Sequence, residues 1–499
     1  MKTTIRNVIC IIAFTTLPAI CQFASMHAQE FVKSDFMVSD LTGLNYRAPQ
    51  LSVSKKGDMV VVWETTGSGG GIWFKTISSL GTQLSEQKLV KSPFYHNANR
   101  VAHTDSGNFM IMFGEDVSHW RVYGQIYDRN GNEIGDTMKI SRNTSEKINM
   151  YFASLFADRN NQFGAFVPGF DSMMVEKISG TGEFVGNTIV LKPGMDNVQK
   201  LTGVMTRSGN YIMIWIDIIG GNIHGLRYTP EGIPIGEIFQ VSQKEDNSYI
   251  QSIAMGRDTS GNFAVGWSTN IDTITYMYSQ LFNAEGVSVG SNTRISDEQS
   301  NFIHASGKMS ISMDVDGKFV IAWPDNRGND TTFIYLQQMD NQGERVGGNY
   351  RATSINNNTQ PGISLPAQVH PCVHILRDTI YLAWANYNQD VSTRVNIFAN
   401  IQKWMPDVTG IDQQVLIPVE TNVYPNPSAG IFTLNIEHDY SGQLELEVYN
   451  ASGALVKREL RSWSGRETTI DLSAAPEGMY YLNIKGDSFK STTPLIIIK

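Results

Sequence analysis

The stretch Asp316-Gly-Lys-Phe-Val-Ile-Ala-Trp323 decides the fold of this 499-residue chain, because a tight turn leads into an almost wholly apolar strand ending in an aromatic residue. The same kind of strand occurs seven times, and its last residues are Trp63, Phe113, Phe166, Trp215, Trp267, Trp323 and Trp384. The intervals between these residues are 50, 53, 49, 52, 56 and 61 residues. A repeat of this length predicts a seven-bladed β-propeller with one four-stranded sheet per repeat.

Most copies share one internal order of strands and turns. A glycine turn such as Asp105-Ser-Gly-Asn108 precedes the apolar strand, and glycine supplies the positive φ that short hairpins need. A third strand, a second glycine turn and a fourth strand follow; in the second copy the fourth strand ends near Lys139-Ile-Ser141. The apolar strands have almost no polar positions, which predicts sheets covered on both faces.

The two ends of the repeat array complement each other. The last copy stops after its third strand, near residues 396–404, and a segment like a fourth strand, Phe31–Ser39, precedes the first copy. We therefore expect the N-terminal strand to complete the seventh sheet. Such closure leaves no exposed sheet edge and ties the chain ends together.

The C-terminal segment from Asn422 to Lys499 carries a different set of motifs. It opens with Val423-Tyr-Pro-Asn-Pro427, continues with Gly430-Ile-Phe-Thr-Leu434, and later contains Pro476-Glu-Gly-Met-Tyr-Tyr481. These blocks resemble the type A C-terminal sorting domain of the type IX secretion system, found in the phylum Bacteroidota. The resemblance implies sorting-signal residues at Pro425, Asn426, Pro427, Gly430, Gly453, Gly478, Tyr480 and Lys499.

Residue patterning gives the same segment a fold. Leu444, Leu446 and Val448 alternate with polar residues, which is the period of a strand with one buried face. Several such strands separated by glycine turns predict a small immunoglobulin-like β-sandwich. The alternative is an ordinary immunoglobulin-like module without a sorting role, since a fold alone does not specify function.

The N-terminus predicts export as well. Lys2 and Arg6 precede an apolar run from Val8 to Ile20, and a polar stretch ends near Ala28, which is the pattern of a cleaved signal peptide. A lipoprotein cut before Cys21 is the alternative. The run is too short to span a membrane, and no later segment approaches that length. We expect a secreted or outer-cell-surface protein after signal-peptide cleavage.

Composition limits the partners. A net charge of −9, a pI near 5.5 and the lack of a basic block argue against nucleic acid or an anionic membrane as the main partner. Only Cys372 lies clear of the signal-peptide region, so no internal disulfide is expected. We expect the protein to be a monomer. The predicted domains are a signal peptide (1–28), a seven-bladed propeller (29–404), a linker (405–421) and a sorting domain (422–499).

An acidic residue lies in each loop after an apolar strand, and propeller geometry would place these loops on one rim. The candidate ligand-rim residues are Glu64, Asp116, Asp171, Asp217, Asp272, Asp325, Arg327 and Asp390. They could bind sugar hydroxyls or cations; alternatively, Asp begins turns by bonding its own backbone. The loop 324–330 lacks the spacing of a calcium loop, so no cofactor is predicted and calcium there has no support.

Two further segments contain candidate chemistry. His370, Cys372 and His374 would share one face of a strand, and Pro371 suits an edge strand lining the central channel. Residues at i and i+4 are roughly 13 Å apart on a strand, so a half-buried structural face is preferred over a metal site. Tyr46-Arg-Ala-Pro49 resembles the Tyr-Arg-Ile-Pro motif of sialidases, but it departs at Ala48, and seven repeats exceed the six blades of that family.

Two functions follow from these observations. The preferred one is a non-enzymatic, surface-displayed propeller that binds a glycan or protein through one rim. Its aromatics Trp73, Trp120, Tyr276 and Tyr278 could stack on sugars, although core packing is expected for most of them. The alternative is a secreted carbohydrate-active enzyme, a sialidase-like glycoside hydrolase or lyase. An enzyme needs two carboxyls, or a tyrosine and a carboxyl, converging in one pocket, and no catalytic residue is predicted. The expected partners are the type IX secretion machinery and an extracellular ligand.

Overall fold

The computed structural model is all-β. It describes residues 29–499 except 41–44, 67–70, 91–95, 116–120, 143–152, 159, 170, 207–208, 220, 243–247, 272–273, 298–308, 326–331, 354–366, 389–393, 405–420, 437–441, 451–453, 464–466 and 486–489. Thirty-five strands and no helix occur in these ranges. The described residues accordingly contain no helix long and apolar enough to cross a membrane. The predicted signal peptide lies outside them.

Seven four-stranded antiparallel sheets occupy the described residues between 31 and 403. Sheet 1 contains β2 (Asn45–Val53), β3 (Met59–Thr66), β4 (Ile72–Ile77) and β5 (Lys88–Val90). Sheet 2 contains β6 (His96–His103), β7 (Phe109–Glu115), β8 (Arg121–Tyr127) and β9 (Glu133–Lys139). Sheet 3 contains β10 (Ser154–Ala157), β11 (Phe163–Pro168), β12 (Met173–Ile178) and β13 (Ile189–Leu191).

The remaining four sheets continue in chain order. Sheet 4 contains β14 (Val198–Met205), β15 (Tyr211–Asp217), β16 (Ile223–Tyr228) and β17 (Pro234–Gln240). Sheet 5 contains β18 (Ser248–Arg257), β19 (Phe263–Ile271), β20 (Ile274–Phe282) and β21 (Ser288–Arg294). Sheet 6 contains β22 (Ser310–Met313), β23 (Phe319–Asp325), β24 (Phe333–Met339) and β25 (Arg345–Arg351). Sheet 7 contains β26 (Ala367–Leu376), β27 (Thr379–Asn388), β28 (Arg394–Lys403) and β1 (Phe31–Met37).

The first strands of these sheets form a closed ring. Each contacts the first strand of the next sheet in chain order, and the first strand of sheet 7, β26, contacts that of sheet 1, β2. Each first strand is therefore the inner edge of its sheet, and the later strands follow outward. The result is a propeller-like arrangement of repeated sheets around one axis.

The second strand of each sheet lies in the core. Trp63, Trp215, Trp323 and Trp384 are fully buried, as the apolar pattern of these strands predicts. One register differs from the sequence alignment: Phe163 pairs with Ala157 at the turn, as Phe109 pairs with His103 in sheet 2. Val167, one residue after Phe166, therefore occupies the position that Phe113 holds in sheet 2 and tryptophan holds in the other five sheets.

The expected closure by the N-terminal strand is confirmed, because β1 pairs with β28 and completes sheet 7. The hydroxyl oxygen of Ser39 accepts a hydrogen bond from the backbone nitrogen of Ile397 at 3.0 Å. Three other serines, each just after the fourth strand of its sheet, make the same bond. The hydroxyl oxygen accepts from a backbone nitrogen at or near the beginning of the third strand. These pairs are Ser141 with Val122, Ser242 with Ile223 and Ser296 with Met277.

A buried glutamine recurs in the third strands. Gln125, Gln280 and Gln337 each donate to the carbonyl of the next residue and to two carbonyls of the fourth strand. The fourth strands change register at this point, and Gly135, at a φ of 65°, occupies the turned position in sheet 2. The glutamine amide thus satisfies carbonyl groups that the irregular pairing leaves open.

The C-terminal segment forms two further sheets. One contains β29 (Thr421–Tyr424), β30 (Ile431–Ile436) and β33 (Glu467–Asp471). The other contains β31 (Gly442–Asn450), β32 (Leu455–Trp463), β34 (Gly478–Lys485) and β35 (Lys490–Ile497). Apolar residues of both sheets, including Phe432, Leu446 and Leu482, join one buried cluster. Leu444, Leu446 and Val448 all face this core, in agreement with the period-2 pattern.

Replacing Ser39 by alanine should lower the free energy of unfolding by about 1–3 kcal/mol, because the backbone nitrogen of Ile397 loses its buried acceptor. Urea unfolding of the full chain measures the change. Ser242→Ala should cost a similar amount if the N-terminal strand is equivalent to the other fourth strands. Ser291→Ala, at an exposed site of β21, is the control and should leave stability unchanged. A loss for Ser242→Ala without one for Ser39→Ala would contradict the equivalence.

Candidate functional site

A cavity of about 730 Å³ lies along the axis of the ring. The first strands of all seven sheets contribute to its wall, so it is the space that the inner strand edges enclose. Its two ends can be told apart, because all seven first strands run in the same direction along the axis. We call the end where these strands begin the strand-start half, and the end where they enter the hairpin turns the turn end.

Arg100 is a charged residue of the described cavity wall in the strand-start half. Its Nε donates to the carbonyl oxygen of Ala153 at 2.6 Å, and another guanidinium nitrogen donates to the carbonyl oxygen of Asn99 at 2.7 Å. Burial lowers the pKa of Arg100 to about 10, while the nearby Cys372 and Glu64 act in the opposite direction. Arg100 therefore remains a cation at neutral pH, in a poorly hydrated position.

Arg257 lies at the turn end. It belongs to sheet 5, and one of its terminal nitrogens donates to the carbonyl oxygen of Ala157 in sheet 3 at 3.0 Å. Its guanidinium carbon is 5.6 Å from the ring centre of Phe156. The side chain thus connects two sheets that are not neighbours in the ring.

Three acidic residues line the cavity, all at the turn end. The carboxylate of Asp258 accepts hydrogen bonds from the backbone nitrogens of the turn that follows, and Asp105 forms an ion pair with Lys55. Burial raises the pKa of Asp314, although backbone nitrogens of Val315 and Arg377 bond to it. Two of these acids are thus engaged with their own turn or with a lysine.

Three histidines line the cavity: His370, His103 from sheet 2 and His374 from sheet 7. Nδ1 of His103 is 3.1 Å from the hydroxyl of Ser52, which belongs to sheet 1, between sheets 2 and 7. The rings of His103 and His374 are largely enclosed by protein. Burial lowers the pKa of His103 to about 3, with a further contribution from His374, and lowers that of His374 to about 4.

The segment with His370 and Cys372 is the edge strand that Pro371 indicates. β26 pairs only with β27 and forms an inner edge, and all three predicted residues line the cavity. Cys372 is buried, and its sulfur accepts a hydrogen bond from the backbone nitrogen of Leu51 at 3.2 Å. In the described part of the chain, no three His, Cys, Asp or Glu side chains are grouped closely enough to hold a metal.

The predicted rim acids are only partly within the described residues. Asp116, Asp272, Arg327 and Asp390 lie outside them, as does the side chain of Arg47. Of the four that are described, Asp171 is exposed and the other three have structural surroundings. Glu64 is buried, Asp217 accepts a hydrogen bond from the backbone nitrogen of Ile219, and Asp325 accepts one from the indole nitrogen of Trp323 at 3.0 Å.

The predicted aromatic platform residues are mostly packed. Trp73 is half-buried and donates to the hydroxyl of Thr65, Tyr278 stacks on Trp267, and Arg294 covers the ring of Tyr276. Trp120 lies outside the described residues.

Tyr249, which the sequence did not single out, has 57% of its surface exposed. It lies two residues before Gln251, a residue of the cavity wall, and is thus at the strand-start half.

Several of the predicted sorting-signal residues connect the two ends of the C-terminal segment. The side chain of Asn426 donates to the carbonyl oxygen of Pro494 and accepts from the backbone nitrogen of Ile496. Gly430 has a φ of 114°, and an added Cβ would be 2.7 Å from the Cα of Ser473. Lys499 donates to the carbonyl oxygen of Ser473.

Pro425 and Pro427 are both preceded by cis peptide bonds. Tyr480 is buried and donates to the carbonyl oxygen of Pro476, and Gly478 has a φ of 146°. Gly453 lies outside the described residues.

Residues 422–499 match the family model of the secretion system C-terminal sorting domain. This confirms the type IX sorting domain expected from the motifs, and it implies export to the cell surface or secretion. A search of curated proteins gives no match to the chain.

Among solved structures, the chain is similar to a protein of unknown function from Dyadobacter fermentans, with 9% identity, 76% of this chain and 100% of that chain covered, and a TM-score of 0.47. It is also similar to the α-L-arabinanase of Penicillium chrysogenum, with 10% identity, 63% and 96% coverage, and a TM-score of 0.41. For the NanB sialidase of Streptococcus pneumoniae the identity is 11%, the coverage 76% and 71%, and the TM-score 0.39.

The Asp325→Ala variant should lose about 1–3 kcal/mol of unfolding free energy, because the buried indole nitrogen of Trp323 loses an acceptor. Asp325→Asn should lose less, since the amide oxygen can still accept this bond. Thermal unfolding followed by the tryptophan signal measures both changes. Asp171→Ala, at an exposed acid in another loop, should leave stability unchanged; an Asp325→Ala variant as stable as wild type would contradict a structural role.

Stability should fall as the pH drops below about 6.5, the usual pKa of histidine in an unfolded chain. The folded state holds His103 and His374 neutral, so the unfolded state binds more protons in the window from about 6.5 down to about 4. Each imidazole can contribute up to about 1.4 kcal/mol per pH unit. His374→Gln should flatten the curve of unfolding free energy against pH; curves that stay parallel would show that this imidazole is not the cause.

Proposed function

We propose that residues 29–404 form a seven-bladed propeller that binds an extracellular glycan at the strand-start half of its cavity after type IX export. Binding occurs without chemical conversion of the glycan. The remaining parts of this proposal are a signal peptide at 1–28, a linker at 405–421 and an immunoglobulin-like sandwich at 422–499. The observation that carries the proposal is the exposed ring of Tyr249 beside the cavity.

The surroundings of Tyr249 support sugar stacking. Nζ of Lys200 is 5.3 Å from the ring centre, and the same ammonium group donates to the carbonyl oxygens of Ile250 and Gln251. The lysine therefore holds the beginning of β18 while one ring face stays available. An aromatic ring that combines an apolar face with a polar tip suits the mixed surface of a sugar.

Sheet 4 adds apolar surface at the same end of the ring. Ile218 and Ile219 follow β15 and are 54% and 77% exposed. Asp217, the last residue of β15, pairs with Val198 at the beginning of β14, so this turn lies at the strand-start half. Exposed apolar side chains beside an exposed aromatic are typical of a binding surface.

The acids of the cavity favour binding over hydrolysis. A glycosidase places two carboxyl groups within about 5–9.5 Å of each other around the scissile bond. In the described wall, the acids Asp105, Asp258 and Asp314 all lie at the turn end, away from Tyr249. Asp258 and Asp105 are engaged in the turn and ion-pair contacts given above. The strand-start half contains no described carboxylate in its wall.

Tyr249→Ala should weaken glycan binding by about threefold to tenfold, which corresponds to roughly 1 kcal/mol of lost aromatic contact. A glycan panel probed with the full chain identifies bound glycans, and calorimetry then gives the affinity of wild type and variant. Tyr424→Ala removes an exposed tyrosine of the sorting domain and is the matched control.

Retention without released sugar is the expected result. Release of sugar from the panel would favour the enzyme, and no retention of any glycan would overturn the proposal and favour a protein ligand.

A further inference from the structure

The cavity is enclosed all the way around its axis. The first strands of the seven sheets form its wall, and the contacts between neighbouring first strands run once around the ring, from β2 to β26 and back to β2. These contacts close the sides of the cavity between one described strand and the next. A ligand therefore has to enter along the axis and cannot enter sideways between two sheets.

The cavity is also long for its volume. Unbroken runs of residues from single first strands line it, namely 251–257 in sheet 5, 309–313 in sheet 6 and 370–376 in sheet 7. At a rise of about 3.3 Å per residue, the run in sheet 5 extends over about 20 Å of wall. The volume of about 730 Å³ is that of a site for a small molecule. The cavity can thus enclose a few sugar units and no more.

Neutral polar side chains from three sheets belong to this wall. Gln50, Thr202 and Gln251 all line the cavity, and each is half-buried, as expected for groups that border an internal space. Amide and hydroxyl groups both donate and accept hydrogen bonds, as the hydroxyl groups of a sugar do. The wall therefore offers partners to sugar units that have entered the ring.

We infer that the cavity binds the end of a glycan chain and not its interior. The inference rests on the proposed glycan-binding function and adds which part of the glycan is recognised. An internal segment continues in both directions, so it could occupy the axis only if the whole chain were threaded through the ring. A chain end enters with a few units, and the remainder of the chain stays outside, where a further unit stacks on Tyr249.

The first test counts binding sites on polysaccharides of known chain length. Pullulan, galactan, xylan and polygalacturonate, with any further polysaccharide that the glycan panel retains, are titrated with the full chain by calorimetry before and after partial hydrolysis. Hydrolysis that halves the mean chain length doubles the number of ends, so the amount of protein bound per gram of a retained polysaccharide should double. An amount per gram that stays constant would overturn the inference, because internal segments remain almost as abundant.

The second test fills the cavity and leaves Tyr249 unchanged. Thr202→Phe should weaken the binding of every retained glycan by about tenfold or more, because the added ring occupies space that the chain end needs. Ser291→Phe adds the same side chain at an exposed site of β21 and is the matched control, which should bind like wild type. Thermal unfolding establishes that both variants are folded. A folded Thr202→Phe variant with wild-type affinity would contradict binding inside the ring.

The outcomes separate this inference from the function on which it rests. If the bound amount per gram does not change on hydrolysis but Tyr249→Ala still weakens binding, the glycan-binding function stands and the recognition of chain ends fails. If the full chain retains no glycan, both proposals fail. The count of binding sites uses the wild-type protein, so it decides the question even if Thr202→Phe does not fold.

Discussion

The pairing of β1 with β28 is the constraint on which the rest of the ring depends. Sheet 7, which contacts sheet 1, combines strands from both ends of the repeat array. The amide of Gln29 also donates to the carbonyl oxygen of Lys403, which extends the closure by one further bond. The inner edges of β26 and β2 also contact each other directly, through the hydrogen bond from the backbone nitrogen of Leu51 to the sulfur of Cys372.

The inner edges of the sheets need a second kind of contact, because no further strand pairs with them. Side chains of neighbouring first strands supply the acceptors: the hydroxyls of Ser310 and Ser312 accept from the backbone nitrogens of Val373 and Ile375, and Ser52 accepts from that of His103. These short side chains satisfy backbone groups and still leave an open axis. The cavity therefore stays open because serine side chains, and not an additional strand, bond to the backbone nitrogens of the inner edges.

Much of the fold could be predicted because it depends on local, repeated signals. Apolar strands ending in an aromatic residue mark each sheet, glycine turns mark most of them, and the segment 31–39 indicates closure. The candidate site was harder to predict. Glu64 and Asp325 were expected in rim loops, but Glu64 lies within β3, Asp325 is the last residue of β23, and both side chains are buried. Arg100 lies in a polar stretch without a motif, and its place in the cavity wall depends on strand register, which the sequence pattern does not specify.

The pairing of β1 with β28 has a consequence for the order of events during synthesis. The ribosome makes β1 before every other strand of the ring, but its partner β28 ends at Lys403, after the rest of the ring has been translated. Contacts between such distant segments form late, since the loop between them must first be organised. The sorting domain begins at residue 422, so the last strand of the ring and the export tag emerge one after the other. A chain that is interrupted before residue 394 lacks both β28 and the sorting domain. Every chain that contains the sorting domain therefore also contains all strands of the ring.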